Sequence, residues 1–389
     1  MIVYGHPFKF PSAMYRIIVA GLLLTIAHIA ACKNKALKKT EDPRLAEIRL
    51  PAGFKISIFA KDVDNARSMT RGDKGTIFVG NRSGDKVYAL VDRDGDGFSD
   101  EKYTILSGKK MPNGVAFKNG ALYIAEVDRI WRLDNIEENL KQPPQPVLVY
   151  DSLPDKKHHG WKYIAFGPDG KLYVPIGAPC NICDDAERDS RFASISRMNA
   201  DGSGFEIFAS GIRNSVGFDW HPQTKALWFT ENGGDEMGDD VPADELNTAA
   251  KAGMHFGYPY CHEGGILDPE YGKGKSCDTY TPPVAKLAAH TAALGMKFYT
   301  GKMFPAGYTN TIFIAEHGSW NRTTPIGYRV MTVRLGSDGN AVYEPFAEGW
   351  LKDGTAWGRP VDVLQLPDGS LLISDDFANC IYRITYAGK

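Results

Sequence analysis

The sequence predicts an all-β fold, a six-bladed β-propeller with four-stranded antiparallel blades. Three observations favour it: a turn-and-strand phrase that recurs along the chain, a composition rich in turn-forming and aromatic residues, and a leftover N-terminal strand that can close a ring. The 389 residues include 41 Gly, 23 Pro, 18 Tyr, 19 Phe and 7 Trp, which is typical of many turns between aromatic-rich strands. This composition disfavours a helical bundle.

The recurring phrase is a strand of mostly apolar residues, usually preceded by a turn containing Gly, Asp or Pro. Its six copies occupy residues 75–79, 120–124, 170–174, 225–229, 310–314 and 369–373. Propeller blades span about 40–50 residues each, and the spacing of the copies fits six blades with an insertion between the fourth and the fifth copy. An open β-sandwich would leave the repetition unexplained.

One predicted strand, residues 54–59, falls outside the six copies. We expect it to join the C-terminal strands and close the ring, because closure removes sheet edges that would otherwise invite aggregation. The propeller is therefore predicted over residues 45–389. Loops at one end of such a ring converge on its central channel, so functional residues are expected in loops that lie far apart in the sequence.

The N-terminal segment reads as a targeting signal. Residues 17–31 are almost continuously apolar and follow Lys9 and Arg16, but the run is shorter than the roughly 20 residues that a membrane span needs. We interpret residues 1–31 as a signal peptide. The small residues before Cys32 resemble a bacterial lipobox, which predicts a lipid on Cys32, a tether over residues 32–44 and a location on the periplasmic or surface side of a bacterial envelope. A short hydrophobic anchor with an incidental Cys is the alternative.

Five cysteines follow Cys32. Because disulfides persist outside the cytoplasm, we favour two structural bridges across loops, Cys180–Cys183 and Cys261–Cys277, with Cys380 as a buried thiol. A thioredoxin-type redox motif would need a helix start in a βαβ unit, and a zinc site would need a second ligand pair at short spacing.

The charge balance disfavours one class of function. The chain has 45 Lys and Arg against 47 Asp and Glu, a net charge of -2. A nucleic-acid binder would need a basic surface to displace counterions from phosphates, so no nucleic-acid partner is expected.

Two loops before predicted strands carry candidate ligand-binding groups. His159 is a candidate general base, because the unperturbed pKa of a histidine, near 6.5, suits proton abstraction at neutral pH; a structural histidine is the alternative. Arg213 and Asn214 offer a planar fork and an amide to a carboxylate or carbonyl ligand. Arg213 could equally bond to neighbouring loop carbonyls.

Other loops suggest a cation and an anionic ring system. Gly233 and Gly234 follow Glu231 and can expose carbonyl oxygens towards a hard cation such as Ca²⁺, with an acidic surface loop as the alternative. Flat rings lie beside arginines in residues 316–322 and 357–362, a combination suited to an anionic, conjugated ligand.

A separate acidic turn matches the start of a calcium loop. Asp92, Asp94 and Asp96 have the D-x-D-x-D-G spacing but lack the Glu at the twelfth position and the flanking helices. We interpret the turn as a structural Ca²⁺ site in a hairpin of the first blade. An acidic turn without metal is the alternative.

These phrases, taken in order, resemble one family over residues 45–387: the soluble aldose dehydrogenases that depend on pyrroloquinoline quinone (PQQ), and more closely their L-sorbosone-dehydrogenase-like branch. The similarity rests on His159 before residues 167–169, on residues 211–214, on residues 231–234 with 244–247, and on residues 358–363. Residues 179–183 and 317–322 are similar to the sorbosone branch in particular.

The resemblance implies oxidation of an aldose or sorbosone-like sugar by hydride transfer to PQQ, with an external cytochrome or quinone as electron acceptor. His159 would take the hydroxyl proton of the sugar, and Ca²⁺ on the carbonyls of Gly233 and Gly234 would act as a Lewis acid. The residues implied to bind the cofactor are Arg82, Arg213, Asn214, His317, Trp320, Arg322 and Arg359.

The chain departs from the glucose enzymes of this family beside the catalytic histidine. Those enzymes have an acid after the glycine that follows the third-blade strand, whereas here Gly177 is followed by Ala178. His158 also stands where they tend to have an acid. Either Asp184 or Asp185 supplies the orienting carboxylate, or the base is oriented differently.

Two other functions are compatible with a propeller. A calcium-dependent lactonase would need side-chain carboxylates and Asn on one channel metal and would have no use for several arginines. A lipid-anchored binding or scaffolding propeller would lack catalysis altogether. The Arg-rich loops favour the dehydrogenase over the lactonase. His159 with the arginines and the Gly233–Gly234 loop distinguishes it from the scaffold.

Overall fold

The computed structural model describes residues 42–184, 189–336 and 339–388. The predicted signal peptide, the lipidation site Cys32, the tether as far as residue 41, and Asp185 lie outside these residues. Within the described ranges, no helix is both long and apolar enough to cross a membrane.

The described residues fold into short strands joined by turns, with single-turn 3₁₀ helices. The 3₁₀ helices are Pro43–Glu47, Ile136–Glu138, Cys277–Thr279 and Ala306–Tyr308. The first strands are β1 (Phe54–Ala60), β2 (Ala66–Arg71), β3 (Ile77–Asn81), β4 (Val87–Val91), β5 (Glu101–Leu106), β6 (Gly114–Lys118), β7 (Ala121–Ala125), β8 (Ile130–Leu133), β9 (Val147–Tyr150), β10 (Ala165–Phe166), β11 (Leu172–Ile176), β12 (Ser194–Met198) and β13 (Glu206–Ser210). They are followed by β14 (Phe218–Trp220), β15 (Leu227–Glu231), β16 (Ala243–Ala249), β17 (Met254–His255), β18 (Cys261–His262), β19 (Ile266–Leu267), β20 (Ala285–Ala289), β21 (Ala293–Phe298), β22 (Ile312–Glu316), β23 (Arg329–Leu335), β24 (Ala341–Glu348), β25 (Leu351–Lys352), β26 (Thr355–Ala356), β27 (Pro360–Gln365), β28 (Leu371–Asp375) and β29 (Cys380–Tyr386).

Six antiparallel sheets form the blades of a propeller. Their strands are β2–β5, β6–β9, β10–β13, β14–β16 with β20, β21–β24, and β27–β29 with β1. The last blade is completed by the N-terminal strand, in which Phe54 lies opposite Tyr386 and Ile56 opposite Ile384. The predicted six-bladed fold and its closure by residues 54–59 are both confirmed.

The phrase that recurs in the sequence is the second strand of every blade. In β3, β7, β11, β15, β22 and β28 each of the five residues is buried. A strand covered by neighbouring strands and by the adjacent blades is mostly apolar, and polar residues such as Glu231 and Glu316 stand at its C-terminal end. This burial explains why the phrase repeats so clearly.

The hydrophobic core lies between consecutive blades. Phe78 of β3 packs with Leu122 of β7, for example, and Tyr173 of β11 packs with Phe229 of β15. A buried carboxylate also joins the last blade to the first, because Asp362 accepts a hydrogen bond from the backbone N–H of Met69 at 2.7 Å. Each blade is thus held mainly by its two neighbours.

The insertion predicted between the fourth and fifth copies joins β16 to β20. It returns to the third blade, where β17 pairs in parallel with β13 and adds a fifth strand. It also contains the β18–β19 hairpin and the Cys261–Cys277 disulfide. Cys180 and Cys183 form the second disulfide and Cys380 is a buried thiol, as predicted.

Candidate active site

A pocket of about 350 Å³ opens among loops at one end of the ring. The first strand of a blade begins, and its antiparallel second strand ends, at the same end of the sheet, so loops before first strands meet loops after second strands. The lining residues are Arg67, Arg82, His158, His159, Trp161, Arg213, Asn214, Val216, Asn232, Gly233, Asp235, Asp244, His290, Ala292, Leu294, His317, Trp320 and Asn321.

Most of the predicted site residues meet in this pocket. Those that line it are Arg82, His159, Arg213, Asn214, Gly233, His317 and Trp320. Arg359 is not among the lining residues and forms an ion pair with Asp376. Arg322 does not belong to the lining, because its guanidinium bonds to the carbonyl of Asp239 and to the carboxylate of Asp240.

His159 is held by a backbone carbonyl. Its Nδ1 lies 2.8 Å from the carbonyl oxygen of Ala178, and because a carbonyl only accepts, Nδ1 carries the proton and Nε2 carries the lone pair. The close approach requires the glycine at 177, since a Cβ there would lie 2.5 Å from the Cβ of His159. Of the two predicted orienting acids, Asp184 instead accepts a hydrogen bond from the hydroxyl of Tyr260.

The surroundings of His159 keep its ring neutral. Burial, followed by the positive charge of Arg213, lowers the pKa of His159 well below its usual value of 6.5. The ring of His158 lies beside it, with the ring centroids 4.1 Å apart, and burial and Arg213 lower the pKa of His158 as well. At neutral pH, His159 can therefore accept a proton on Nε2.

Asp376 gathers four basic side chains at the edge of the pocket. Its buried carboxylate lies 3.2 Å from Arg67, 3.3 Å from Arg82, 3.0 Å from Arg359 and 3.0 Å from Nε2 of His317. Burial would raise the pKa of Asp376, but His317 and the arginines lower it well below its ordinary value.

This cluster carries surplus positive charge. Burial lowers the pKa of His317 to about 4, so His317 is neutral at pH 7, and burial lowers the pKa of Arg67 only to about 10. Three guanidinium groups thus face a single carboxylate. Such a cluster is suited to bind an anionic ligand.

The sequence interpretation missed Arg67 and Asp376. Arg67 lies inside β2, where the strand pattern hides it, but Asp376 had a signal. The residue directly after the second strand of each blade forms a ring at this end of the fold, and its members are Arg82, Glu126, Gly177, Asn232, His317 and Asp376. Aligning the six copies of the phrase would have pointed to Asp376.

Arg213 is fixed on the other side of the pocket. Its Nε donates to the carbonyl of Asn181 at 2.8 Å, its Nη1 to the carbonyl of Asn232 at 3.2 Å and its Nη2 to the carboxylate of Asp235 at 2.6 Å. The amide of Asn214 donates to the side-chain oxygen of Asn232 at 3.3 Å. Both predicted residues therefore belong to one hydrogen-bonded loop cluster.

Buried acids lie behind the two glycines predicted to bind metal. Gly233 and Gly234 line a second cavity of about 10 Å³ together with Glu231 and Glu245. Burial raises the pKa of Glu245 to about 7, and burial with the charge of Glu245 raises the pKa of Glu231 well above 4.5. The side-chain Oδ1 of Asn247, which is buried next to both acids, has no hydrogen-bond partner among the described residues. Carboxylate and amide oxygens at a space of about one water molecule fit a hard cation.

The acidic turn of the first blade lies apart from the pocket lining. One carboxylate oxygen of each of Asp92, Asp94 and Asp100 lies within 4.8 Å of the others. Asp96, which the spacing had suggested as the third ligand, accepts a hydrogen bond from the backbone N–H of Phe98 at 2.8 Å. The structure thus groups Asp100 with the first two acids.

Fold and pocket together define a six-bladed β-propeller with a neutral histidine and a cationic cluster at the mouth of the ring. Residues 125–379 match the family model described as Glucose / Sorbosone dehydrogenase. The chain belongs to this family. It is 33% identical to an uncharacterized protein of Borreliella burgdorferi, over 97% of this chain and 98% of the relative.

Solved structures share the fold at lower identity. The calcium structure of a Trichoderma reesei enzyme of carbohydrate-active family AA12 has a TM-score of 0.78 and 20% identity, covering 91% of this chain and 100% of that one. The holo form of the PQQ domain of pyranose dehydrogenase from Coprinopsis cinerea has a TM-score of 0.72 and 17% identity, covering 90% and 99%. Membership of the family supports an oxidoreductase that acts on sugars.

Proposed function

We propose that the protein is a PQQ-dependent dehydrogenase that oxidises an aldose or a sorbosone-like sugar. The observation that carries the proposal is the pairing of two groups on one pocket: a neutral imidazole with its lone pair on Nε2, and a cluster of guanidinium groups around Asp376. A base beside an anion-binding cluster is what hydride transfer to an anionic cofactor requires. The narrower placement in the sorbosone branch is part of the proposal.

The residues of the pocket fit PQQ, a planar quinone with several carboxylates. Arg67, Arg82 and Arg213 would bind its acidic groups, Asn214 would donate to its oxygens, and His317 and Trp320 would border its plane. Arg359 would contribute indirectly, by its ion pair with Asp376. We do not extend the proposal to Arg322, whose guanidinium is bonded to Asp239 and Asp240.

His159 is the proposed general base. Its Nε2 would take the hydroxyl proton of the sugar, while the carbon that bears this hydroxyl gives a hydride to the cofactor. The C–OH group of the sugar thereby becomes a carbonyl. When bound, PQQ would supply the carbonyl that accepts the hydride. The carbonyl of Ala178 would hold the imidazole in place throughout, because its bond to Nδ1 is kept in both protonation states.

Calcium is proposed at two places. At the second cavity, which shares Gly233 with the pocket, the backbone carbonyls of Gly233 and Gly234 would hold a Ca²⁺ ion whose role is that of a Lewis acid. The buried acids Glu231 and Glu245 would be further oxygen donors. In the first blade, Asp92 and Asp94 would hold a structural Ca²⁺ ion, with Asp100 as the third acid.

We also propose that Cys32 carries a lipid that anchors the mature protein to a bacterial envelope, where an external cytochrome or quinone would accept its electrons. Labelling of the wild-type protein by a fatty-acid probe, and loss of the label in Cys32→Ser, would support the anchor. Labelling of both proteins, or of neither, would contradict it.

A dye-linked assay tests the function. The protein is mixed with PQQ and Ca²⁺ and supplied with a panel of aldoses, sorbosone and an artificial electron acceptor. The proposal expects dye reduction that depends on both PQQ and sugar. Hydrolysis of sugar lactones with Ca²⁺ alone would favour a lactonase, and no binding of PQQ would favour a binding or scaffolding propeller.

A further inference from the structure

Asn181 lies in the cystine loop, between Cys180 and Cys183, and touches two separate parts of the candidate site. Its Oδ1 accepts hydrogen bonds from Nη2 of Arg213 at 2.8 Å and from the backbone N–H of Asp235 at 2.9 Å. Its Nδ2 donates to the backbone carbonyl of Asp235 at 3.1 Å. One amide therefore ties an arginine of the pocket to the loop of residues 233–235.

The backbone of the same loop adds to this contact. The carbonyl of Asn181 accepts from Nε of Arg213 at 2.8 Å, so Asn181 binds two nitrogens of this guanidinium, in addition to the contacts made by Asn232 and Asp235. Ile182 packs against Gly234, since a Cβ on Gly234 would lie 3.2 Å from Cδ1 of Ile182. The cystine loop thus supports both the proposed cofactor-binding arginine and the proposed metal loop.

The cystine loop is itself restrained by its disulfide and by Tyr258. The disulfide joins the residues on either side of the Asn181–Ile182 pair. The hydroxyl of Tyr258 accepts from the backbone N–H of Cys183 at 3.0 Å and donates to the carbonyl of Asn181 at 3.3 Å. The conformation of Asn181 is therefore restrained before any ligand arrives.

We propose that Asn181 is a positioning residue that pre-organises Arg213 and the loop of residues 233–235 for the cofactor, with the Cys180–Cys183 disulfide keeping Asn181 in place. This inference rests on the proposed function. An unrestrained arginine loses rotamer freedom when a ligand orders it, so a restrained one binds more tightly. The amide is suited to the task because it accepts from Arg213 without adding a second negative charge beside the carboxylate of Asp235, which already lies 2.6 Å from Nη2.

The first test compares Asn181→Ala with Asn139→Ala, a matched change at an exposed asparagine that donates to the carbonyl of Asn135. In the protein without cofactor, hydrogen–deuterium exchange of the segment 231–236 should become faster in N181A and remain unchanged in N139A. In a PQQ titration, N181A should bind about 10- to 100-fold more weakly, as expected for losing hydrogen bonds to a charged group. A purely structural role would lower the unfolding midpoint without weakening PQQ binding by the folded protein.

Two further variants keep the proposal testable if N181A folds poorly. Asn181→Asp retains the acceptor for Arg213 but loses the donor to the carbonyl of Asp235 and adds a charge, so it should bind PQQ more weakly than wild type. Cys180→Ser with Cys183→Ser should also weaken PQQ binding, whereas Cys261→Ser with Cys277→Ser should not.

The outcomes separate the two proposals. Wild-type protein that does not bind PQQ would overturn the proposed function, and with it this role of Asn181. Wild-type binding, with N181A within twofold of wild type and with unchanged exchange of residues 231–236, would overturn the role of Asn181 alone.

Discussion

Nδ1 of His159 lies 2.8 Å from the carbonyl oxygen of Ala178. The sequence interpretation expected an aspartate to orient this histidine or, failing that, a different arrangement, and the arrangement is a neutral backbone acceptor. A carbonyl fixes the tautomer as firmly as a carboxylate, but it stabilises the imidazolium less, because it carries no full charge. The proposed base is therefore well placed and weakly basic.

Replacing His159 by Ala should lower kcat for sugar oxidation by about 10²- to 10⁴-fold, the usual contribution of a positioned base. Binding of PQQ should change little, because the arginines remain. His221→Ala, at a histidine outside the pocket lining, is the matched control and should keep wild-type turnover. Dye-linked kinetics measure both, and wild-type turnover in H159A would rule out this base.

The pH dependence of kcat/KM should reflect the depressed pKa of His159. Protonation removes the lone pair of Nε2, so activity falls as pH drops through the pKa of the free enzyme. Because burial and Arg213 lower that pKa well below 6.5, the acidic limb of the profile should lie below pH 6.5. A limb at pH 6.5 or above would contradict a buried, neutral imidazole.

Replacing Asp376 by Asn should destabilise the protein by about 3–5 kcal/mol, the usual cost of breaking a buried ion pair from one side. The change leaves the buried guanidinium of Arg67 without its carboxylate. Denaturant unfolding measures the loss, with Asp73→Asn at an exposed site as the control. Equal stability of D376N and wild type would mean that this cluster does not hold the loops together.

Glu245 should make the calcium-free protein less stable as pH rises. Its folded pKa of about 7 exceeds the unfolded value of 4.5, so its contribution is intact below pH 4.5 and is lost as pH rises towards 7. Glu245→Gln should flatten this part of the stability curve, and Glu270→Gln, at an exposed acid, should not.

Bound Ca²⁺ should offset this loss of stability at higher pH, because a cation favours the ionised forms of Glu231 and Glu245. The Ca²⁺-induced rise in Tm should therefore be larger at pH 7 than at pH 5, and it should shrink in E245Q. A rise in Tm that is equal in wild type and E245Q would place the ion elsewhere.

The fold could be predicted because its signal is carried by burial. Second strands such as 77–81 and 371–375 are buried at every residue, so most of each copy is apolar and the polar residues are confined to its C-terminal end. The strand 54–60 falls outside the six copies, so it could be assigned to the last blade, where it closes the ring. The path of the insertion back to the third blade could not be predicted, because β17 contributes only two residues to the sheet.

The site could be predicted in part. His159, Arg213 and Asn214 are polar residues in loops before first strands, where the ring brings loops together. The positions of Arg322 and Arg359 could not be predicted, because each guanidinium binds an acid that is distant in the sequence. These acids are Asp240 for Arg322 and Asp376 for Arg359. Of the two partner carboxylates, only Asp376 follows directly after a copy of the repeated phrase, and Asp240 has no such signal.

Equilibrium titration with PQQ is the sharpest test of a cofactor site in this pocket. Absorption spectra of PQQ are recorded at increasing concentrations of wild-type protein, Arg213→Ala and Arg334→Ala, the last in β23 and outside the pocket lining. If PQQ binds in this pocket, wild type and R334A should bind it saturably at one site per chain, and R213A should bind it at least tenfold more weakly. Equal binding by all three proteins, or no binding by wild type, would contradict a cofactor site at the mouth of this propeller.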